Sequence, residues 1–175
     1  MAAHPRVPRH LALRLIRNFY TFDLMQFAML PGVAADLKRA ADEQLVARLP
    51  SITLGERLTL ARRASEAVAT ALLLDAEPRV SHTALENGRL PEAALIKTVL
   101  RANVPATLIE TVCHHPKWSV RREIRVALLR SSHTPPACAL EFARSFPPPL
   151  LRDILHTSRL PERVKDHLHN SLKPR

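Results

Sequence analysis

Fifteen prolines run through this chain of 175 residues beside only three glycines, and no other feature constrains the fold as tightly. An interior proline removes a helical hydrogen bond and clashes with the preceding turn, at a cost of roughly 3 kcal/mol. The residues between the prolines nevertheless favour helices, because Leu and Ala dominate and aromatics make up only 4%. No stretch alternates apolar and polar residues as a half-buried strand would. The expected fold is therefore all-α, without sheet, built from about 10–12 short helices with prolines at their boundaries. At this length a single domain, 1–175, is expected.

Read from proline to proline, the chain becomes a ladder of amphipathic segments. Arg9 to Phe19 places Leu11, Leu15 and Asn18 on one side with Leu13, Ile16 and Tyr20 beside them, while Arg14 and Arg17 face out. Phe22 to Leu30 is apolar nearly all round, which predicts burial. After Pro31-Gly32 comes the longest predicted helix, Val33 to Leu49, with Leu37, Ala41, Leu45 and Leu49 every four residues and Pro50 at its end. Thr53 followed by Glu56 predicts a capping box for a helix from Leu54 to about Arg63. Ser65 then restarts the chain into Ala67 to Leu74, an uncharged apolar run too short to cross a bilayer.

The second half is repetitive. "ALENGRLPEAAL" (84–95), "LLRSSHTPPACA" (128–139) and "ILHTSRLPERVK" (154–165) share one form. In each, an apolar pair is followed by small or polar helix-ending residues: Asn87-Gly88, Ser131-Ser132 or Thr157-Ser158. A proline then opens the next helix, at Pro91, Pro135 or Pro161. Two copies share "RLPE", at Arg89–Glu92 and Arg159–Glu162. Proline is expected at the first helical position, where its missing N–H costs nothing. Pro78, Pro105 and Pro116 fall between the copies and divide the span further.

This helix-end, turn, proline-helix pattern, with "DAEPRV" and "HPKWSVRREIRVAL" as openings to arginine-bearing helices, resembles the bacterial HEAT-like and leucine-rich-repeat-variant helical repeats from about Thr53 onward. The resemblance implies a right-handed α-solenoid of short antiparallel helix pairs used for binding. Residues 51–175 would form the repeats and residues 1–50 an N-terminal helical cap. The competing arrangement is an irregular helical bundle.

Charge narrows the class of partner. Residues 79–175 carry 16 Lys or Arg against 8 Asp or Glu, whereas residues 1–78 carry 10 against 8. Such a surface favours acidic partners, either proteins or nucleic acid. The alternative is a merely solvated arginine-rich surface. No membrane attachment is expected, since no basic helix carries exposed bulky apolar residues. The start, "MAAHPRVPRH" followed by "LALRLIRNFY", is broken by prolines and arginines and does not read as a signal peptide. Cys113 and Cys138 lie in helical, buried-looking runs, so reduced thiols and a cytoplasmic setting are expected.

The stretch from His114 to Pro136 gathers the candidate residues. Val120, Ile124, Ala127 and Leu128 mark the core stripe of a helix from Trp118 to Arg130. Arg121, Arg122 and Arg125 lie off that stripe, and Arg121 and Arg125, one turn apart, could grip a common carboxylate or phosphate. Changing both to Glu is expected to alter stability by less than about 1 kcal/mol. Trp118 could stack on a base or pack on a neighbouring repeat; Arg79 and Arg152 extend the candidate binding face. Cys113-His114-His115 and the His167/His169 pair invite a zinc reading, but neighbouring helical positions point too far apart to chelate one ion. His115 reads instead as a helix-ending residue whose ring meets the last carbonyls.

No glycine-rich phosphate loop, zinc-protease motif or nucleophile elbow occurs, so no enzyme, cofactor, metal or small-molecule substrate is expected. The alkylpurine DNA glycosylases share the HEAT-like architecture, but their sites need several aromatics around an aspartate, which the single Trp118 cannot supply. The expectation is a non-catalytic interaction scaffold that binds an acidic protein surface. The alternative is a nucleic-acid-binding protein contacting phosphates, with single strands disfavoured by the scarcity of aromatics.

Overall fold

The computed structural model describes residues 8–171. Among these the chain is all-helical, with twelve α-helices, one short 3-10 turn and no strand. No described helix is long and apolar enough to cross a membrane. Two compact units divide the chain, one ending at Leu90 and the other beginning at Pro91. The longest helix before Ser51 packs onto a helix that follows Ser51.

The first unit contains α1 (Arg9–Ile16), α2 (Thr21–Met29), α3 (Ala35–Arg48), the 3-10 turn Leu49–Ser51, α4 (Leu54–Arg63), α5 (Glu66–Leu72) and α6 (Pro78–Leu85). Helix α3 packs on α1, α2 and α5, and α4 packs on α5 and α6. Gly32, at φ 81°, makes the turn that leads into α3. The capping box forms as the sequence predicts. Glu56 N–H donates to the Thr53 hydroxyl at 3.3 Å, and Thr53 N–H donates to the Glu56 carboxylate at 2.9 Å. Ser65 caps α5, and its hydroxyl donates to Asp42 of α3 at 2.7 Å. Leu24, Leu45, Leu60, Leu72 and Leu85 are fully buried, each contributing roughly 2 kcal/mol of transfer free energy.

Helix α1 departs from the expected faces. Leu11, Leu13 and Leu15 are about 40% exposed and Tyr20 is 82% exposed, while the small Ala12 joins Ile16 in the core. A helix of eight residues has one narrow contact line with α3, and that line selects positions four apart. Helix α2 buries Leu24, Phe27 and Ala28 but leaves Phe22 and Leu30 partly exposed, so it is not buried all round.

The second unit contains α7 (Glu92–Val99), α8 (Ala106–His114), α9 (Arg122–Arg130), α10 (Pro136–Ala143), α11 (Pro148–His156) and α12 (Glu162–Ser171). Helix α9 is its centre, packing on α7, α10 and α11, while α12 packs on α10. Ile124 and Leu128 of α9, with Leu95 and Ile109, are fully buried.

Many of the described prolines stand at helix boundaries, often one position earlier than expected. Pro8, Pro91, Pro105, Pro135 and Pro147 are N-caps, with φ between −55° and −82° and ψ between 134° and 153°. An N-cap supplies its carbonyl to the helix and has no use for its own N–H, so proline loses nothing there. Pro78, Pro136 and Pro148 occupy the first helical turn.

The residues that end helices also fasten them. Asn87, after α6, donates its side-chain amide to the carbonyls of Ala61 (2.8 Å) and Ala64 (3.3 Å) at the end of α4, and accepts from Arg89 N–H at 2.8 Å. Ser158, after α11, donates to the Leu129 carbonyl at the end of α9 (2.6 Å) and accepts from Leu160 N–H (3.1 Å). Both "RLPE" arginines join in: Arg89 Nη1 donates to the Arg63 carbonyl at 3.3 Å, and Arg159 N–H to the Arg130 carbonyl at 3.1 Å. The middle copy differs, because Thr134 donates to Leu128 of its own preceding helix at 2.6 Å.

Candidate functional site

The stretch from His114 to Arg130 folds as the last residue of α8, a tight turn and α9. The turn takes in residues expected to be helical: Trp118 N–H and Ser119 N–H both donate to the His115 carbonyl, at 3.1 and 2.9 Å. Helix α9 therefore begins only at Arg122, with Arg121 as its N-cap. Val120, expected in the core, is 65% exposed at the tip of this turn; Ile124, Ala127 and Leu128 are buried as expected.

The histidines exchange their expected roles. His114 Nδ1 meets the Glu110 carbonyl of the last turn at 2.9 Å. His115 is buried and is the C-cap, but its Nδ1 accepts from Lys117 N–H at 3.2 Å and so ties the turn that follows. Its neighbour in sequence is proline, which has no N–H, so the ring reaches one residue further for a donor.

Trp118 is 1% exposed, which removes it as a stacking platform for a base. Two cations stand over its ring, Lys117 Nζ at 4.2 Å and the Arg121 guanidinium at 5.3 Å. Contacts of this length are worth about 0.5–1 kcal/mol at exposed sites. Arg121 also pairs with Glu92 of α7 at 2.6 Å. Arg125, half-buried, donates from Nε to the Ser119 carbonyl at 2.7 Å and lies 5.4 Å over the Phe142 ring of α10. The structure thus directs Arg121 and Arg125 to different partners within the protein. Arg122 stays exposed, its only ion pair among the described residues a 3.6 Å contact with neighbouring Glu123.

Arginines missed by sequence reasoning share this internal role. In the first unit Arg48 donates to the Arg17 and Phe19 carbonyls beyond α1, at 2.7 and 2.5 Å, and Arg57 pairs with buried Asp75 at 2.7 Å. In the second, Arg159 Nη1 donates to the Leu100 carbonyl after α7 at 3.3 Å. Cations near helix C-termini satisfy the last carbonyls and oppose the negative end of the helix dipole. Part of the positive charge is therefore consumed by the fold itself.

Arg152 of α11 remains exposed and lines an open groove of about 360 Å³ with Leu155, His156, Glu162, Lys165, Asp166 and His169. That lining carries both signs of charge, and Lys165 already pairs with Glu162 at 2.9 Å. Arg79, in the first unit, is exposed on α6. Arg101, Arg144 and Arg163 are exposed and form no ion pair among the described residues. No group of three or more His, Cys, Asp or Glu among the described residues is placed to hold a metal ion.

No family model, no curated protein and no solved structure matches this chain.

Proposed function

We propose that this chain is a non-catalytic helical-repeat module of the HEAT-like kind, which binds an acidic protein surface through exposed arginines. The repeat reading draws support from packing within each unit between helices two apart, α4 with α6, and α9 with both α7 and α11. Stacked helix pairs have that contact order, because like helices of successive pairs lie side by side. Each pair would bury a face that it cannot bury alone. The fastening of Asn87 to α4 and of Ser158 to α9 follows the same order.

One observation carries the binding reading: Arg101, Arg144, Arg152 and Arg163 are exposed and unpaired among the described residues, while other arginines are spent on carbonyls. An exposed, unneutralised guanidinium can take a carboxylate in two parallel hydrogen bonds. Arg122 and Arg152 belong to the proposed face. Arg121, Arg125 and Trp118 support it from within.

The test is titration of the full chain with a fluorescent polyglutamate peptide and, separately, with duplex DNA at several salt concentrations. The expected result is salt-sensitive polyglutamate binding that weakens roughly tenfold in Arg122→Glu/Arg152→Glu, with the helical circular dichroism signal retained. No polyglutamate binding at low salt would end this reading. Duplex binding with a log-log salt slope of about 0.9 per phosphate would favour the nucleic-acid alternative.

A further inference from the structure

Cys113 lies in the last turn of α8, Cys138 sits in the first turn of α10, and both are free, buried thiols. The two thiols are close enough for Cys138 to help hold the proton on Cys113. His114 follows Cys113 in the chain, and its Nε2 lies 3.8 Å from Cys138 Sγ. The proton on that ring can be placed. A carbonyl oxygen only accepts, so the 2.9 Å contact to Glu110 puts a proton on Nδ1, and in the neutral ring the lone pair of Nε2 then faces Cys138. The arrangement is thus a thiol, Cys138, beside a base, with a second thiol, Cys113, next to that base in the chain. His114 itself is exposed, so the base side of the cluster opens to solvent while the two cysteine residues remain 5–6% exposed.

We propose that Cys113, Cys138 and His114 form a peroxide-reactive dithiol, in which Cys138 attacks, His114 takes its proton and Cys113 resolves the oxidised sulfur. The division of labour follows from the surroundings. The Cys113 thiol is pushed well up from its ordinary value, first by burial, then by Cys138 and by the negative charges of Glu110 and Glu141, so it keeps its proton. Cys138 faces the base.

The chemistry balances as a two-electron exchange with a hydroperoxide. The Cys138 thiol passes its proton to His114 Nε2, and the thiolate attacks the outer peroxide oxygen. The S–O bond forms as O–O breaks, and the departing alkoxide takes the proton from His114 to leave as an alcohol. Cys113 sulfur then attacks Cys138 sulfur: the S–S bond forms, S–O breaks, and hydroxide leaves as water with the Cys113 proton. Two thiols become one disulfide, and one hydroperoxide becomes alcohol and water. The site reacts once per reduction, so it adds a modification to the scaffold and not a turnover.

The test uses the full chain, fully reduced, with a small excess of hydrogen peroxide. Both thiols should vanish to an alkylating reagent, the protein should lose two hydrogens by mass, and a peptide linkage should join Cys113 to Cys138 and open with a thiol reductant. In Cys113→Ser, a cyclic 1,3-diketone should trap sulfenic acid on Cys138. His114→Gln should slow the loss of thiols by about tenfold or more, as loss of a general base does. Each variant is first checked for native helical circular dichroism, and the wild-type linkage alone decides the main point if a variant does not fold. Unchanged thiols in the wild type, or sulfinic acid without linkage, would overturn the proposal. Equal rates of sulfenic acid trapping on Cys113 in Cys138→Ser would overturn the assignment of the attacking thiol.

Discussion

The side-chain amide of Asn87 donates to the Ala61 carbonyl oxygen at 2.8 Å, joining the end of α6 to the end of α4 across a separation of 26 residues. Asn87 is buried, and it also accepts the N–H of Arg89. Asn87→Ala leaves two carbonyls and one N–H without their partner. The expected loss is about 2 kcal/mol, read from the urea midpoint at unchanged slope. Asn87→Asp should cost at least as much, since a carboxylate cannot donate to the Ala61 oxygen.

Trp118 fills the space beneath the α8–α9 turn and carries Lys117 and Arg121 on its ring. Trp118→Ala should destabilise the second unit by about 3–5 kcal/mol, whereas Trp118→Phe keeps an aromatic face and should lose less than half of that. Thermal melts of the two variants would separate packing from any binding role.

Arg125 ties Ser119 and covers Phe142, so its substitution is no longer expected to be neutral. Arg125→Glu should cost about 1–2 kcal/mol, because the Ser119 carbonyl loses its donor and a carboxylate faces an aromatic ring. Arg121→Gln, which breaks only a partly exposed pair with Glu92, should cost less than about 1 kcal/mol. Denaturant titrations of the single and double variants would show the asymmetry.

Burial raises the Asp42 carboxyl above its ordinary 3.8, opposed by the hydrogen bond from Ser65. A raised acid binds its proton more tightly in the folded state than in the unfolded one. Its favourable contribution is therefore present below pH 3.8 and is lost as the pH rises through the folded value. Asp42→Asn retains an oxygen for Ser65 and never ionises. It should stabilise the chain at neutral pH, with the advantage shrinking as the pH falls toward 3.8, which urea midpoints across that range would measure.

Local chemistry made much of the fold legible. Thr53 and Glu56 lie three residues apart, and Ser65 stands one residue before its helix, so both caps follow from neighbours in sequence. Prolines announce helix starts for the same reason. Burial in α1 and the start of α9 were not legible. Ala12 replaces larger leucines in the core because of where α3 lies, and His115 gathers the amides of Trp118 and Ser119 into a turn before Arg122. The arginines were the hardest to read. Arg48, Arg89 and Arg159 reach carbonyls 26 to 59 residues away, and nothing in a local window distinguishes such an arginine from one that waits for a partner. The same holds for Cys138 and His114, which are 24 residues apart.

The chain's single tryptophan is buried in the unit that begins at Pro91, and its single tyrosine, Tyr20, lies exposed in the unit that ends at Leu90. Each half therefore carries its own chromophore, one shielded and one in water. Tryptophan emission follows the melting of the second half alone, without a label. Compared with backbone ellipticity, which sums over both, it shows whether the chain comes apart in one event or in two.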